Sequence, residues 1–231
     1  MSGLGYDAII FDFDGVLIDS EYVGNLHLAE YLTAAGSPIS IEETLHRFMG
    51  LSGQAFIDAI EAWRESPLPA DFAAVRAQED ERLLKEGIAA LAGAVDFVRA
   101  LPEALPKAIA SSSRSRWIRA HLDHLGLRAR FEPMIFSGHE HVARGKPAPD
   151  LYLHAAGELG VDIERTVILE DSPVGITGAL ASGATVIGLC LGTHCAPDHA
   201  ERLRALGARH VAASFDEVAR LVGMDRTRTG G

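Results

Sequence analysis

The chain reads as an α/β protein, with a Rossmann-like, doubly wound parallel sheet core and an inserted small helical cap domain. Three observations predict this. Short apolar runs at Ala8–Phe11, Lys107–Ala110, Met134–Phe136, Thr166–Leu169 and Thr185–Leu191, with a weaker one at His210–Ala213, alternate with amphipathic helical patterns. That alternation is the signature of parallel strands joined by crossover helices. Helical stretches close on Gly126, Gly160, Gly183 and Gly207, where a helix C-terminus turns into the left-handed conformation. Between the first and second runs, from Leu17 to Ala90, the alternation stops; a single crossover helix needs far fewer residues.

The first strand runs directly into Asp12. Helix-like segments follow at Glu21–Ala35, Ile41–Phe48, Gln54–Trp63 and Ala70–Lys85, separated by Gly36, Gly50, Pro67, Pro69 and Gly87. The reading therefore assigns residues 1–16 and 91–231 to the catalytic core and residues 17–90 to the helical insertion. The tail Met224–Gly231 has little apolar surface to bury and is expected to be disordered. With 231 residues the chain has room for one domain of ~100–150 residues plus a smaller one.

Composition narrows the function classes. An apolar fraction of 48% against 23% charged residues is that of a folded globular protein. No apolar run reaches the ~18–20 residues of a membrane span. A net charge of -11 argues against nucleic acid as a partner, because non-specific affinity comes from Lys and Arg neutralising phosphates. The start Met1-Ser2-Gly3-Leu4-Gly5 has neither the basic flank nor the small-residue cleavage site of a signal peptide, so a cytoplasmic location is expected. Cys190 and Cys195 are expected to be free thiols.

The polar residues at the strand ends carry the chemistry. Apolar runs end in Asp12, in Ser111, and in Glu170 and Asp171, and open α/β sheets bind ligands outside the carboxyl ends of their strands. Lys146, in Gly145-Lys146-Pro147-Ala148-Pro149-Asp150, follows the Met134–Phe136 run on a loop stiffened by proline. Asp12, Asp14, Glu170 and Asp171 together crowd negative charge that a bound cation would compensate. Donors that are all oxygen and few in number suit Mg²⁺. Ser111 and Lys146 add a hydroxyl and an ammonium suited to phosphate oxygens. The combination points to phosphoryl transfer.

Asp12-Phe13-Asp14-Gly15-Val16-Leu17 resembles the first signature of the haloacid dehalogenase superfamily, and Ser111, Lys146 and Glu170-Asp171-Ser172 stand in order where its other three motifs fall. The helical insertion resembles the small cap of the β-phosphoglucomutase-like branch. The resemblance implies a Mg²⁺-dependent phosphatase acting on a small phosphorylated metabolite. Asp12 would be the nucleophile that becomes an aspartyl phosphate, and Asp14 the general acid and base. Mg²⁺ would take the Asp12 carboxylate, the Asp14 carbonyl and the Asp171 carboxylate, with Glu170 reaching it directly or through water. Ser111, Ser112, Lys146 and Ser20 would meet phosphate or substrate.

Metal-free halide-displacing members lack the carboxylate that this chain has at Asp14. Motif neighbourhoods resemble bacterial phosphatases of sugar phosphates and 6-phosphogluconate. The alternative is a β-phosphoglucomutase-like isomerase; a non-catalytic binding protein on the same fold is disfavoured by Asp12, Asp14, Lys146 and Asp171. Aligned through Asp12-Phe13-Asp14-Gly15 and Met49-Gly50-Leu51-Ser52, the mutase histidine and cap arginine fall on Gly24 and Gly53, with Arg47 and Arg64 as neighbouring cations. This favours water over sugar as the acceptor.

Several residues carry a plainer reading. Asp19 precedes a helix and serves equally as an N-cap or as part of the family's hinge with Ser20, and a serine after Ser111 is expected to cap the following helix. His139 and His141 read as exposed loop residues. Cys190, His194, Cys195 and His199 lack zinc-ligand spacing and are set aside. Trp63 and Trp117 read as packing residues rather than stacking platforms.

Overall fold

Strands with apolar side chains on both faces must be covered twice, and side-chain alternation divides this core accordingly. The computed structural model describes residues 5–48, 51 and 53–224. In chain order the elements are β1 (Ala8–Phe11), α1 (Ser20–Ala34), α2 (Ile41–Phe48), α3 (Gly53–Arg64), α4 (Phe72–Glu86), α5 (Ala94–Ala100), β2 (Lys107–Ser111), α6 (Ser115–Leu125), α7 (Arg128–Phe131) and β3 (Ile135–Ser137). They continue with α8 (Asp150–Leu159), β4 (Thr166–Glu170), α9 (Pro173–Ser182), β5 (Thr185–Leu189), α10 (His199–Ala205), β6 (His210–Ala212) and α11 (Phe215–Leu221). The strands form one parallel sheet of order β3-β2-β1-β4-β5-β6.

On one face Ile9, Phe11, Ile109, Val167 and Leu169 pack with Phe97 of α5, Ile118 and Leu122 of α6 and Phe215 of α11. On the other, Ile10, Ala108, Ala110 and Ile168 pack with Leu151 and Tyr152 of α8, Ile176 of α9 and Leu203 of α10. The sheet is thus doubly wound, as the strand runs predict. Gly126, Gly160, Gly183 and Gly207 all have positive φ just past helix ends.

Helices α1–α4 build a smaller core of their own from Leu28, Leu32, Phe48, Ile60 and Phe72, with Trp63 packed edge-on against Phe48 at 6.0 Å. The segments entering and leaving them lie side by side. Asp19 N donates to Ala89 O at 3.2 Å, Leu91 N donates to Leu17 O at 3.0 Å, and Ile18 bridges Ala90 in antiparallel fashion. No described helix is long and apolar enough to cross a membrane.

Three expectations are adjusted. The run Thr185–Leu191 leaves the ladder after Leu189, because its partner β6 ends at Ala212, opposite Leu189. The helix expected from Ala70 starts at Phe72, after a turn in which Phe72 N donates to Pro69 O. No side chain of the Ser111 run caps α6; its N-cap is Arg114, and the Glu140 carboxylate accepts from Ser115 N at 3.0 Å instead. Met1–Leu4, Met49, Gly50, Ser52 and the tail beyond Met224 lie outside the described residues.

The two cores predict separable responses to truncation. Phe11→Ala, at the centre of the sheet, should lower the free energy of unfolding by about 3–5 kcal/mol in chemical denaturation. Phe48→Ala should instead raise amide exchange chiefly in α1–α3, with the strand amides still protected.

Candidate active site

The chain steps from β1 outward to β2 and β3, then returns to the other side of β1 for β4. This reversal leaves a crevice at the carboxyl ends of β1, β2 and β4. Asp12 follows β1 and is anchored there, its N–H donating to Leu169 O at 2.9 Å. Ser111 closes β2, and Glu170 closes β4 with Asp171 next in the chain. Lys146 arrives from the loop between β3 and α8.

Lys146 Nζ lies 2.8 Å from Asp12 Oδ1 and 2.8 Å from Glu170 Oε2, with the lysine side chain only 4% exposed. Tyr152 Oη donates to the same Glu170 oxygen at 2.6 Å. Glu170 Oε1 accepts from Asp171 N, Ser172 N and Ser172 Oγ at 3.1, 2.9 and 2.8 Å. Burial alone would raise the Glu170 carboxyl, but the Lys146 charge and these donors hold it below its ordinary value. Both Glu170 oxygens are therefore engaged, and its clearest partner is the lysine. Gly175 on α9 makes room for it, since a Cβ there would stand 1.9 Å from Glu170 Oε2.

Asp12 and Asp171 have the opposite balance. Burial and the nearby Glu170 charge push Asp12 well above the ordinary carboxylate range despite Lys146. Burial also raises Asp171, against a hydrogen bond from His194. Oxygens of Asp12, Glu170 and Asp171 all lie within 4.8 Å of one another, and Asp171 Oδ1 is buried without a hydrogen-bond partner. Such a set, all oxygen and short of positive charge, fits a hard divalent cation such as Mg²⁺. The Asp171 carboxylate sits directly against the Asp12–Gly15 loop. At Gly15, where φ is +75°, a Cβ would lie 2.1 Å from Asp171 Oδ2, so backbone conformation and close approach both require glycine.

Asp14 is held differently. Its Oδ1 accepts from Ser20 Oγ at 2.7 Å and from Trp117 Nε1 at 3.1 Å, and its Oδ2 from Ser113 Oγ at 2.5 Å and Ser111 Oγ at 3.4 Å. Asp12, Asp14, Ser20, Ser111, Lys146, Glu170 and Asp171 therefore converge on one crevice, while Ser112 is exposed to one side. Trp63 is a packing residue. Trp117 packs against the core and also holds Asp14.

Two residues set aside in the sequence join the site. His194 Nε2 lies 2.9 Å from Asp171 Oδ2, and His199 Nε2 lies 2.8 Å from the Asp171 carbonyl; both rings are buried. Burial acts to lower His194, but its hydrogen bonds to Asp171 and Cys195 carry it up to about 11. The N-cap reading of Asp19 gives way as well. Its side chain makes no cap bond; Oδ2 accepts from Thr193 Oγ1 at 2.8 Å, and Oδ1 lies 3.7 Å from His194 Nδ1. Glu21 at the start of α1 is pushed up to about 7 by burial and then by the charges of Asp171 and Asp14. The cysteines are free, and His139 and His141 are exposed.

Known proteins resemble this chain in sequence and in fold. Residues 6–183 match the haloacid dehalogenase-like hydrolase family. Hexitol phosphatase A of Escherichia coli (strain K12) is 34% identical over 183 residues, covering 78% of this chain and 81% of its own. The 6-phosphogluconate phosphatase of the same organism is 27% identical over 192 residues, covering 83% and 86%. Among solved structures, a HAD family hydrolase from Deinococcus radiodurans R1 with bound phosphate and sodium superposes with a TM-score of 0.85 at 33% identity, covering 95% of this chain and 96% of that one. A match of this length, over a sheet and crevice of this construction, makes the chain a member of the haloacid dehalogenase-like hydrolase family.

Proposed function

We propose that the protein is a magnesium-dependent phosphatase that hydrolyses a sugar phosphate or sugar-acid phosphate through an aspartyl phosphate on Asp12. The observation that carries this reading is the pairing of a buried carboxylate with a buried ammonium, Asp12 against Lys146 at 2.8 Å, with a second, separately held carboxylate two residues on. The names of the relatives, which act on hexitol phosphates and 6-phosphogluconate, support the substrate class.

In this reading Lys146 and the Ser111 hydroxyl grip the phosphate oxygens, while Ser112 and Ser20 lie at the margin of that contact. An Asp12 oxygen forms the new bond to phosphorus as the bond to the leaving oxygen breaks. Asp14 gives a proton to that leaving oxygen and later takes one from the water that attacks the aspartyl phosphate. Its hydrogen bonds from Ser20, Ser113 and Trp117 fix the carboxyl in orientation for both steps. Bound at Asp12, the Asp14 carbonyl and Asp171, Mg²⁺ would supply the charge that screens an anionic phosphate from Asp12. Glu170 acts on Lys146, which takes up its Oε2, rather than as a direct ligand. Residues 17–90 form the cap over the crevice, and residues 1–16 and 91–231 the core.

Hydrolysis is favoured over the mutase alternative by what surrounds the two glycines. Gly24 lies in α1 and Gly53 opens α3 with nothing within 4 Å of its Cβ position, so neither offers a group to a second phosphate. Arg47 is paired with Glu43 at 2.7 Å. Arg64 is committed to Ser37 Oγ and Pro67 O. Arg76 does approach Gly24, but its Nη1 donates to the Gly24 carbonyl at 3.0 Å.

Four outcomes test the reading. Asp12→Asn should lower kcat on p-nitrophenyl phosphate and on sugar phosphates at least about 10³-fold while the protein stays folded; retention of more than about a tenth of kcat would reject Asp12 as nucleophile. Chelation with EDTA should abolish turnover and added Mg²⁺ restore it, and full activity in metal-free buffer would reject the metal requirement. Trp117→Phe keeps the packing but removes one donor to Asp14. It should lower the rate of the phosphorylation step more for a sugar phosphate than for p-nitrophenyl phosphate, whose leaving group needs no proton, and an equal loss on both would contradict Asp14 as the acid. With the wild-type protein and Mg²⁺, free phosphate should appear from β-glucose 1-phosphate without glucose 6-phosphate; the reverse order would make the enzyme a mutase.

A further inference from the structure

The loop after β5 reaches back to the crevice, and its contacts divide the work of the two Asp171 oxygens. Oδ2 accepts from His194 Nε2 at 2.9 Å. Oδ1 is equally buried but has no hydrogen-bond partner, and the Asp171 carboxylate has an oxygen within 4.8 Å of oxygens of Asp12 and Glu170. A carboxylate oxygen can only accept, so Nε2 carries the proton in this contact. The imidazole is itself fixed in place. Its side chain is 2% exposed, its Nδ1 lies 3.7 Å from Asp19 Oδ1, and the neighbouring Thr193 hydroxyl donates to the other Asp19 oxygen at 2.8 Å. Gly192 provides the space for the ring, since a Cβ there would stand 2.2 Å from His194 Nδ1 and Cε1. From the main-chain side, His199 Nε2 donates to the Asp171 carbonyl at 2.8 Å.

We infer that His194 is a positioning residue for the cation site: by holding Asp171 Oδ2 it fixes the carboxylate and leaves Oδ1 unpaired for a cation, and the Gly192–His194 turn ties that carboxylate to Asp19 at the entry of the helical insertion. This rests on the assignment of Asp12 and Asp171 as metal ligands. Partners that orient a ligand commonly contribute about 10–100-fold to metal affinity. Without His194 the Asp171 carboxylate rotates freely about its side-chain bonds and must be ordered anew when the cation binds.

The test is calorimetric titration of Mg²⁺ into the full chain, without substrate, for the wild type, His194→Ala, His194→Gln, His194→Asn and Gly192→Ala. His194→Ala should raise the Mg²⁺ Kd by about 10–100-fold. Gly192→Ala should raise it similarly, by displacing the ring. Glutamine puts an amide N–H near the Nε2 position and asparagine does not, so His194→Gln should stay within about threefold of wild type while His194→Asn resembles alanine. The Gln/Asn comparison stands even if the alanine variant does not fold. A Kd for His194→Ala or His194→Asn within about threefold of wild type, or equal weakening in the Gln and Asn variants, overturns the inference. Failure of the wild type to bind Mg²⁺ overturns the ligand assignment beneath it, and the two failures are told apart by the wild-type titration alone.

Discussion

Asp12, Glu170 and Asp171 are buried with oxygens within 4.8 Å of each other, and like charges at that separation inside a protein repel far more strongly than in water. The fold answers this repulsion unevenly. Glu170 receives the Lys146 ammonium and enough hydrogen bonds to keep it ionised. Asp12 and Asp171 are left with carboxyl groups pushed upward. A site with one compensated carboxylate and two uncompensated ones is short of positive charge, and that deficit suits a hard divalent cation.

Meeting this constraint shapes backbone well away from the charges. Gly15 and Gly175 stand where any side chain would collide with Asp171 or Glu170, so the chain is pared down on both flanks of the carboxylates. Lys146 is drawn between Asp12, Glu170 and the ring of Tyr152, whose centroid lies 5.1 Å from Nζ. An ammonium so enclosed has few alternative positions. The position of that positive charge beside Asp12 is therefore set before any ligand arrives.

Much of this was legible in the sequence because a parallel strand buried on both faces leaves an apolar run, and the residue that ends the run is the one the sheet presents at its carboxyl edge. Asp12, Ser111, Glu170 and Asp171 were found in this way, and Lys146 by its proline-flanked loop. Tyr152, Trp117, Ser113, His194 and His199 were not, because what they do depends on tertiary docking. Tyr152 occupies an ordinary buried position of an amphipathic helix, and only the packing of α8 on the sheet brings its hydroxyl to Glu170. His194 lies on a loop with no periodicity at all, and its contact with Asp171 joins residues 23 apart in the chain. The glycine at 192 was the available signal, a small residue two positions before a histidine that must turn inward.

The paired segments around Ile18 and Ala90 have a consequence for how such a chain can vary. Because the chain departs from and returns to the sheet at hydrogen-bonded neighbours, the two covalent connections to everything between them lie together, with a further contact where Arg116 of α6 pairs with Glu81 of α4. The insertion's size and contour can be exchanged without altering the register of β1 against β2 or the charges at their ends. The strand-end carboxylates thus belong to one packed core and the inserted helices largely to another, so inheritance can remodel the interior of the second while leaving the first intact.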